Sequence, residues 1–185
     1  MENTGANYLA SAHKQFKYYQ SLGDKVINLL NESQLHWQYN AQSNSVAMII
    51  KHIAGNSISR WTDFLTTDGE KPSRNRDEEF EGDTYSKAQL LILWNKGWEC
   101  LYTAVDQLAA EDLIYTIYIR GEKHTITEAI NRQLAHFPYH IGQMVYIARM
   151  ILGEQWESLS IAKGQSKQFN DLRFSTEHGK INDDH

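Results

Sequence analysis

The sequence predicts an all-α protein, a bundle of four long helices with one small β-hairpin before the last of them. Three observations predict it. Four segments carry apolar residues at alternating steps of three and four, the period of one helix face. Only two prolines, Pro72 and Pro138, interrupt 185 residues, so long helices can run unbroken. One β-branched and aromatic run, residues 113–119, stands apart from this pattern and ends in a turn signal.

The first helix is marked by Leu9, Ala12, Phe16, Tyr19, Gly23, Val26 and Leu30. A glycine inside a helix costs about 1 kcal/mol against alanine, so Gly23 is expected where another helix comes close. The second helix starts near Asn44 or Ser45, both good caps. Its face is Val46, Ile50, Ile53, Trp61 and Phe64, and it is expected to stop between Thr66 and Gly69. The third begins after Asp83 and Thr84 and buries Leu90, Trp94, Trp98, Leu101, Val105 and Leu108. The fourth opens on Thr125 and Glu128, the spacing of a capping box. It continues through Ile126, Ile130, Leu134, Phe137, Ile141, Val145, Ala148 and Leu152, with Gly153 as its stop.

The connections differ in kind. Residues 31–43 form a moderate loop carrying Trp37. Residues 66–83 form a long charged link, which signals a crossover or a functional loop. In the hairpin, residues 120–123 supply the turn and His124 to Ile126 pair back. Residues 1–174 are therefore read as one domain, a bundle with a C-terminal extension, and 175–185 as a polar tail.

Charge narrows the function. A net charge of −5 with no basic block argues against a nucleic-acid surface. No stretch of about 18 apolar residues suggests a membrane span. The polar N-terminus lacks the pattern of a secretory leader. A single cysteine, Cys100, fits a reducing cytoplasm. Set among Trp98, Leu101 and Tyr102, it reads as a small core residue.

Three of the eight histidines stand out. His136 and His140 are four residues apart on the fourth helix, so their rings lie one above the other on one side. That spacing suits two imidazoles on one ion, though taken alone it more often marks two satisfied core or surface histidines. His52 lies on a comparable shoulder of the second helix, with Asn56 and Asp63 on its side at further turns. If the second and fourth helices are neighbours, three neutral imidazoles converge. Three ligands leave a coordination position open for water or substrate. The stretch from His136 to His140 has no glutamate after its first histidine, so the zinc-protease motif is absent.

The sequence also resembles the DinB-like superfamily, and within it a subfamily of unknown function. The likeness spans roughly residues 5–170. It is carried by residues 44–52 with Ala54-Gly55-Asn56, and by 59–71, including Trp61-Thr62-Asp63-Phe64-Leu65. It is carried further by Arg76-Asp77 with Glu79-Phe80, by 133–136 with 139–143, and by 160–166. The resemblance implies an up-down-down-up four-helix bundle, frequent homodimers, and a histidine triad falling on His52, His136 and His140. It implies one divalent ion at that triad, nickel or zinc above others. Some relatives are transferases using a low-molecular-weight thiol, and others have no known reaction.

Two classes of function follow. One is an enzyme, a thiol S-transferase or hydrolase acting on a small molecule at the metal, with Asn56, Asp63 or Gln143 supporting the ligands. The mixed-charge segment holding Arg60, Arg74 and Arg76 is then a rim that reads a polar substrate, or else simply a solvated loop. The other class is a metal-binding stress-response bundle without turnover, or a bundle whose site stays empty. No catalytic acid or base can be singled out.

Overall fold

A computed structural model describes residues 4–81 and 85–174. The expected caps Asp83 and Thr84, and the expected tail 175–185, lie outside the described residues. The chain divides into two compact units, Met1–Ile151 and Leu152–His185.

The first unit is mostly helical. In chain order it contains α1 (Thr4–Leu29), α2 (Glu32–Leu35), α3 (Val46–Trp61), α4 (Lys87–Asp106), β1 (Thr116–Ile119), β2 (Glu122–Thr125) and α5 (Ile126–Leu152). Short 3-10 turns occur at Asp77–Phe80 and Ala110–Ile114. In the second unit, a 3-10 turn at Gly153–Gln155 precedes α6 (Ser166–Phe174), where the Arg173 guanidinium lies 5.5 Å over the Phe169 ring.

Local chemistry sets most helix ends. The Ser45 hydroxyl accepts from the Met48 N–H, so Ser45 rather than Asn44 caps α3. The Ser86 side chain caps α4 in a box with Gln89, later than the expected start. Glu128 reaches back to the Thr125 N–H at 2.6 Å while Thr125 Oγ1 accepts from the Glu128 N–H, the predicted box. Helix α3 stops at Trp61, not between 66 and 69. Asp63 adopts a positive φ of 47°, which a continuing helix cannot hold, and Thr66 and Thr67 turn back to donate to its carbonyl. Phe64 is nonetheless buried from this turn.

Close packing explains two glycines. A Cβ on Gly97 would stand 2.7 Å from Ala54 Cα, so α3 and α4 touch backbone to backbone. The Ser57 hydroxyl donates to the Gly97 carbonyl at 2.6 Å across the same contact. A Cβ on Gly23 would stand 2.5 Å from the Trp94 ring and 3.1 Å from Ile141. Gly23 thus brings α1 close to both α4 and α5, as its position inside a helix predicts.

The core holds Trp61, Trp94, Trp98, Phe16, Phe64 and Phe137 with the aliphatics of all four long helices. Trp37 is 37% exposed and is not part of it. On α5 the buried stripe runs Ile126, Ile130, Gln133, Phe137, Ile141, Met144 and Ala148, with the expected Leu134 and Val145 only half-buried. Gln133 can be buried because its amide is paired at both ends. It accepts from Trp61 Nε1 at 3.2 Å and donates to Asn56 Oδ1 at 3.3 Å. These bonds join α3 to α5 and set the turns that face each other. Helix α5 runs on through Pro138.

The hairpin is where it was predicted, with a tighter turn. Ile117 pairs with His124 and Ile119 with Glu122, so Glu122 and Lys123 belong to the strand. Arg120 and Gly121, both at positive φ, make the two-residue turn. Asp68 holds that turn from outside, accepting from the Arg120 N–H at 2.8 Å and the Gly121 N–H at 2.7 Å. The link 62–86 is thereby tied to the hairpin, and Gly69 N–H donates to the Tyr118 carbonyl at 2.8 Å as well.

Candidate metal centre

His52 on α3 and His136 and His140 on α5 come together. The His136 Nε2 atom lies 3.1 Å from Nε2 of His52 and 3.1 Å from Nε2 of His140. One ligand atom from each ring falls within 4.8 Å of the others. Nitrogens each about 2.0–2.1 Å from a shared ion stand roughly 2.9–3.4 Å apart, depending on coordination number. The two separations to His136 fall in that range, and the cluster could hold a metal ion.

Proton placement supports the same reading. The Nδ1–H of His52 donates to Glu79 Oε2 at 2.9 Å, and the Nδ1–H of His140 donates to Gln143 Oε1 at 2.9 Å. Each neutral ring then turns a bare Nε2 lone pair toward His136. A single proton on His136 Nε2 can satisfy only one of the two. A cation satisfies both, and the third nitrogen also. The His136 Nδ1 atom is buried with no hydrogen-bond partner, so no carboxylate or amide fixes its ring as Glu79 and Gln143 fix the other two.

The electrostatics favour the neutral form of His136 and His140. Burial, then His140, His52, Arg60 and Arg74, push the His136 imidazole down to about 3. Burial also lowers His140, with His52 and Arg76 adding to it against the Gln143 hydrogen bond. Neutral imidazole is the ligating form, so protons compete weakly here.

Glu79 was not singled out by sequence reasoning as part of the site, yet it is central to it. Its side chain is 8% exposed. It accepts from His52, from Arg74 Nε at 2.7 Å and from Arg74 Nη2 at 2.9 Å. Burial alone would raise its carboxyl, but the hydrogen bonds and charges of His52 and Arg74 hold it below the ordinary range. A carboxylate behind a ligating histidine fixes tautomer and ring orientation. Gly55 makes room for it, since a Cβ there would run into the Glu79 carboxylate. Lys51 secures the same turn, its ammonium donating to the carbonyls of Glu78 at 3.0 Å and Glu81 at 2.8 Å. Phe80 covers the His52 ring, centroid to centroid 4.9 Å.

The other expected residues are spread out. Gln143 touches His140. Asn56 is buried and bonded to Gln133, one turn from the triad. Asp63 is exposed in the turn after α3, on a separate cavity that also contains Cys100. Cys100 is half-buried there, 3.5 Å from Thr62 Oγ1, rather than a core residue, because α3 ends too early to cover it. Arg74 is no open rim: its side chain is 5% exposed and it bridges Glu79 to Glu70. Arg76 is exposed, with its guanidinium 5.3 Å over Phe80. Arg60 is buried at 4% exposure. Two cavities flank the centre. One of about 460 Å³ lies against Glu79, Arg74 and Lys51. One of about 610 Å³ lies against Gln143, with Trp37, Tyr39, Tyr146 and Met150.

Fold and site together define a mostly helical protein with a clustered histidine triad, two of its members buried and His136 half-buried, that could hold a metal ion. None of its described helices is long and apolar enough to cross a membrane. The chain belongs to the family described as "protein of unknown function (DUF1572)", whose profile matches residues 3–165. Nothing among curated proteins matches it.

Proposed function

We propose that this protein is a divalent-metal enzyme of the DinB-like bundle type, holding one ion through His52, His136 and His140. Its reaction is read as transfer of a low-molecular-weight thiol to an electrophile, or hydrolysis, on a small molecule. The observation that carries the metal reading is the triangle of imidazole nitrogens, two of them with their lone pairs turned inward by Glu79 and Gln143.

A divalent ion at such a centre supplies Lewis acidity, which lowers the pKa of a thiol or water presented to it. The chain's own part is to hold the donors. Glu79 and Gln143 fix the tautomers of His52 and His140. Burial of His136 and His140 favours their neutral, ligating form. Three protein ligands are one fewer than a closed structural site uses, which favours an enzyme over a structural metal. Glu79 is occupied by His52 and Arg74, so the base, if one is needed, comes from the substrate or solvent. The cavities on either side have the size of small-molecule sites. By resemblance the protein is expected to pair as a homodimer, which light scattering measures directly.

The test is stoichiometric. Untagged protein is expected to carry about one nickel or zinc per chain, and His136→Ala to lose it. A mutant that keeps its metal removes the ligand assignment. Conjugation of a thiol to a chromogenic electrophile is expected to stop on chelation. Chelator-insensitive conjugation removes the enzymatic reading, and bound metal without turnover leaves the non-catalytic one.

A further inference from the structure

Of the arginines gathered beside the triad, Arg60 is the buried one without an ion pair to any described residue. Arg74 is spoken for by Glu79 and Glu70, and Arg120 Nε donates to Glu70 at 3.1 Å. Arg76 lies over Phe80. Arg60 makes no hydrogen bond or ion pair with any described residue, although it is only 4% exposed and its Nε is fully buried. Its stem passes under Gly69, where a built Cβ would meet Arg60 Cγ at 3.6 Å. A buried guanidinium without a partner is costly, and a fold that needed only bulk at this position could use methionine or leucine.

Position tells what the charge faces. Arg60 follows His52 and Asn56 at four-residue steps, on one side of α3. The bonds from Trp61 and Asn56 to Gln133 set this end of α3 against the turn of α5 that carries Arg132, four residues before His136. Arg60 and Arg132 repel each other, and both Arg74 and Arg120 add to that field, with Glu70 alone opposing it. Arg60 also acts on His136. Arg60 and Arg132 therefore lie beside the triad without an ion pair to any described residue, while Arg74 and Arg120 are paired.

The geometry points to an oxyanion subsite at Arg60, completed by Arg132, which binds a carboxylate or phosphate of the same small molecule whose reactive group meets the histidine triad. The identity of that reactive end rests on the metal reading above; the anion site does not. The two ends of the molecule are separated by one to two helical turns, about 5–11 Å. Arginine suits this task because its planar fork meets an oxyanion with two parallel hydrogen bonds.

The test titrates inorganic phosphate and, separately, succinate into the full chain by calorimetry, once with metal removed by chelator and once loaded with zinc. Metal-free wild type is expected to bind at least one of the two, and Arg60→Met to weaken that binding about tenfold or more. Arg60→Gln is the second variant, keeping a polar head without the charge. Both are expected to melt no lower than wild type, since no polar partner is lost. Binding of phosphate alone assigns a phosphate ester, and of succinate alone a carboxylate. No binding by metal-free wild type, undiminished binding by Arg60→Met, or failure of both variants to fold overturns the subsite. Anion binding through Arg60 in a chain that takes up no metal leaves the subsite standing and removes the metal reading. Stoichiometric metal without anion binding does the reverse.

Discussion

Replacing Glu79 by glutamine tests the centre more sharply than removing a ligand, because the shape is kept and only the charge and two lone pairs are lost. The native carboxylate receives three hydrogen bonds, two from Arg74 and one from His52, in surroundings where both partners are 5% exposed. The new amide group must face a donor whichever way it turns. In the place of Oε1 it meets Arg74 Nε alone and leaves a buried guanidinium with its Nη2 bond to Glu79 and a long 3.4 Å bond to Glu70, but no carboxylate against Nε. Breaking one side of a buried pair costs about 3–5 kcal/mol, and the lower end applies because Glu70 remains. In the place of Oε2 it meets both Arg74 Nη2 and His52, and there it forces the imidazole proton onto Nε2 and removes the lone pair turned toward His136. Loss of such a supporting carboxylate weakens metal binding by about 10–100-fold. Urea unfolding in the presence of chelator reads the first effect, and competition of zinc against a chromophoric chelator reads the second. Pairing Glu79→Gln with Arg74→Met is expected to restore part of the stability but none of the affinity, since the stranded charge is gone while His52 is still unsupported. A Glu79→Gln protein with wild-type unfolding midpoint and wild-type zinc affinity would refute the reasoning.

Other expectations are simpler. Gly55→Ala pushes its new methyl into the Glu79 carboxylate and is expected to lower zinc affinity while circular dichroism stays helical. Gly97→Ala overpacks the contact of α4 with the Ala54 backbone. It should cost about 1–3 kcal/mol, less up to about 1 kcal/mol of helix propensity gained, as read by thermal unfolding. Burial would raise the Asp68 carboxyl, but hydrogen bonds from the backbone of Gly121, Glu70 and Arg120 outweigh it and hold the group below its ordinary value. Its contribution to stability is therefore present above the unfolded value of about 3.9 and fades as pH falls through the lower folded one. Hydrogen exchange at the Arg120 and Gly121 amides should quicken over that acid range, and Asp68→Asn should remove the pH dependence.

The sequence by itself determined the four long helices, the start of the last one and the place of the hairpin. Apolar spacing at three and four residues, the Thr125–Glu128 box and the turn signal within 120–123 are local, decided by the chain within a few residues of each position. The spacing of His136 and His140 is local in the same way, so that half of the centre was legible. Tertiary structure decided the rest. Whether His52 meets the pair depends on which turns of α3 and α5 face each other, and the buried Asn56–Gln133–Trp61 bonds set that. Glu79 and Arg74 sit in a link with no periodicity, among several similar charges. Only the closure of that link over Gly55 selects which carboxylate reaches His52 and which arginine it neutralises. The isolation of Arg60 is likewise invisible along the chain. A charge in a sequence carries no sign of its partner, because ion pairing is decided by distances through space.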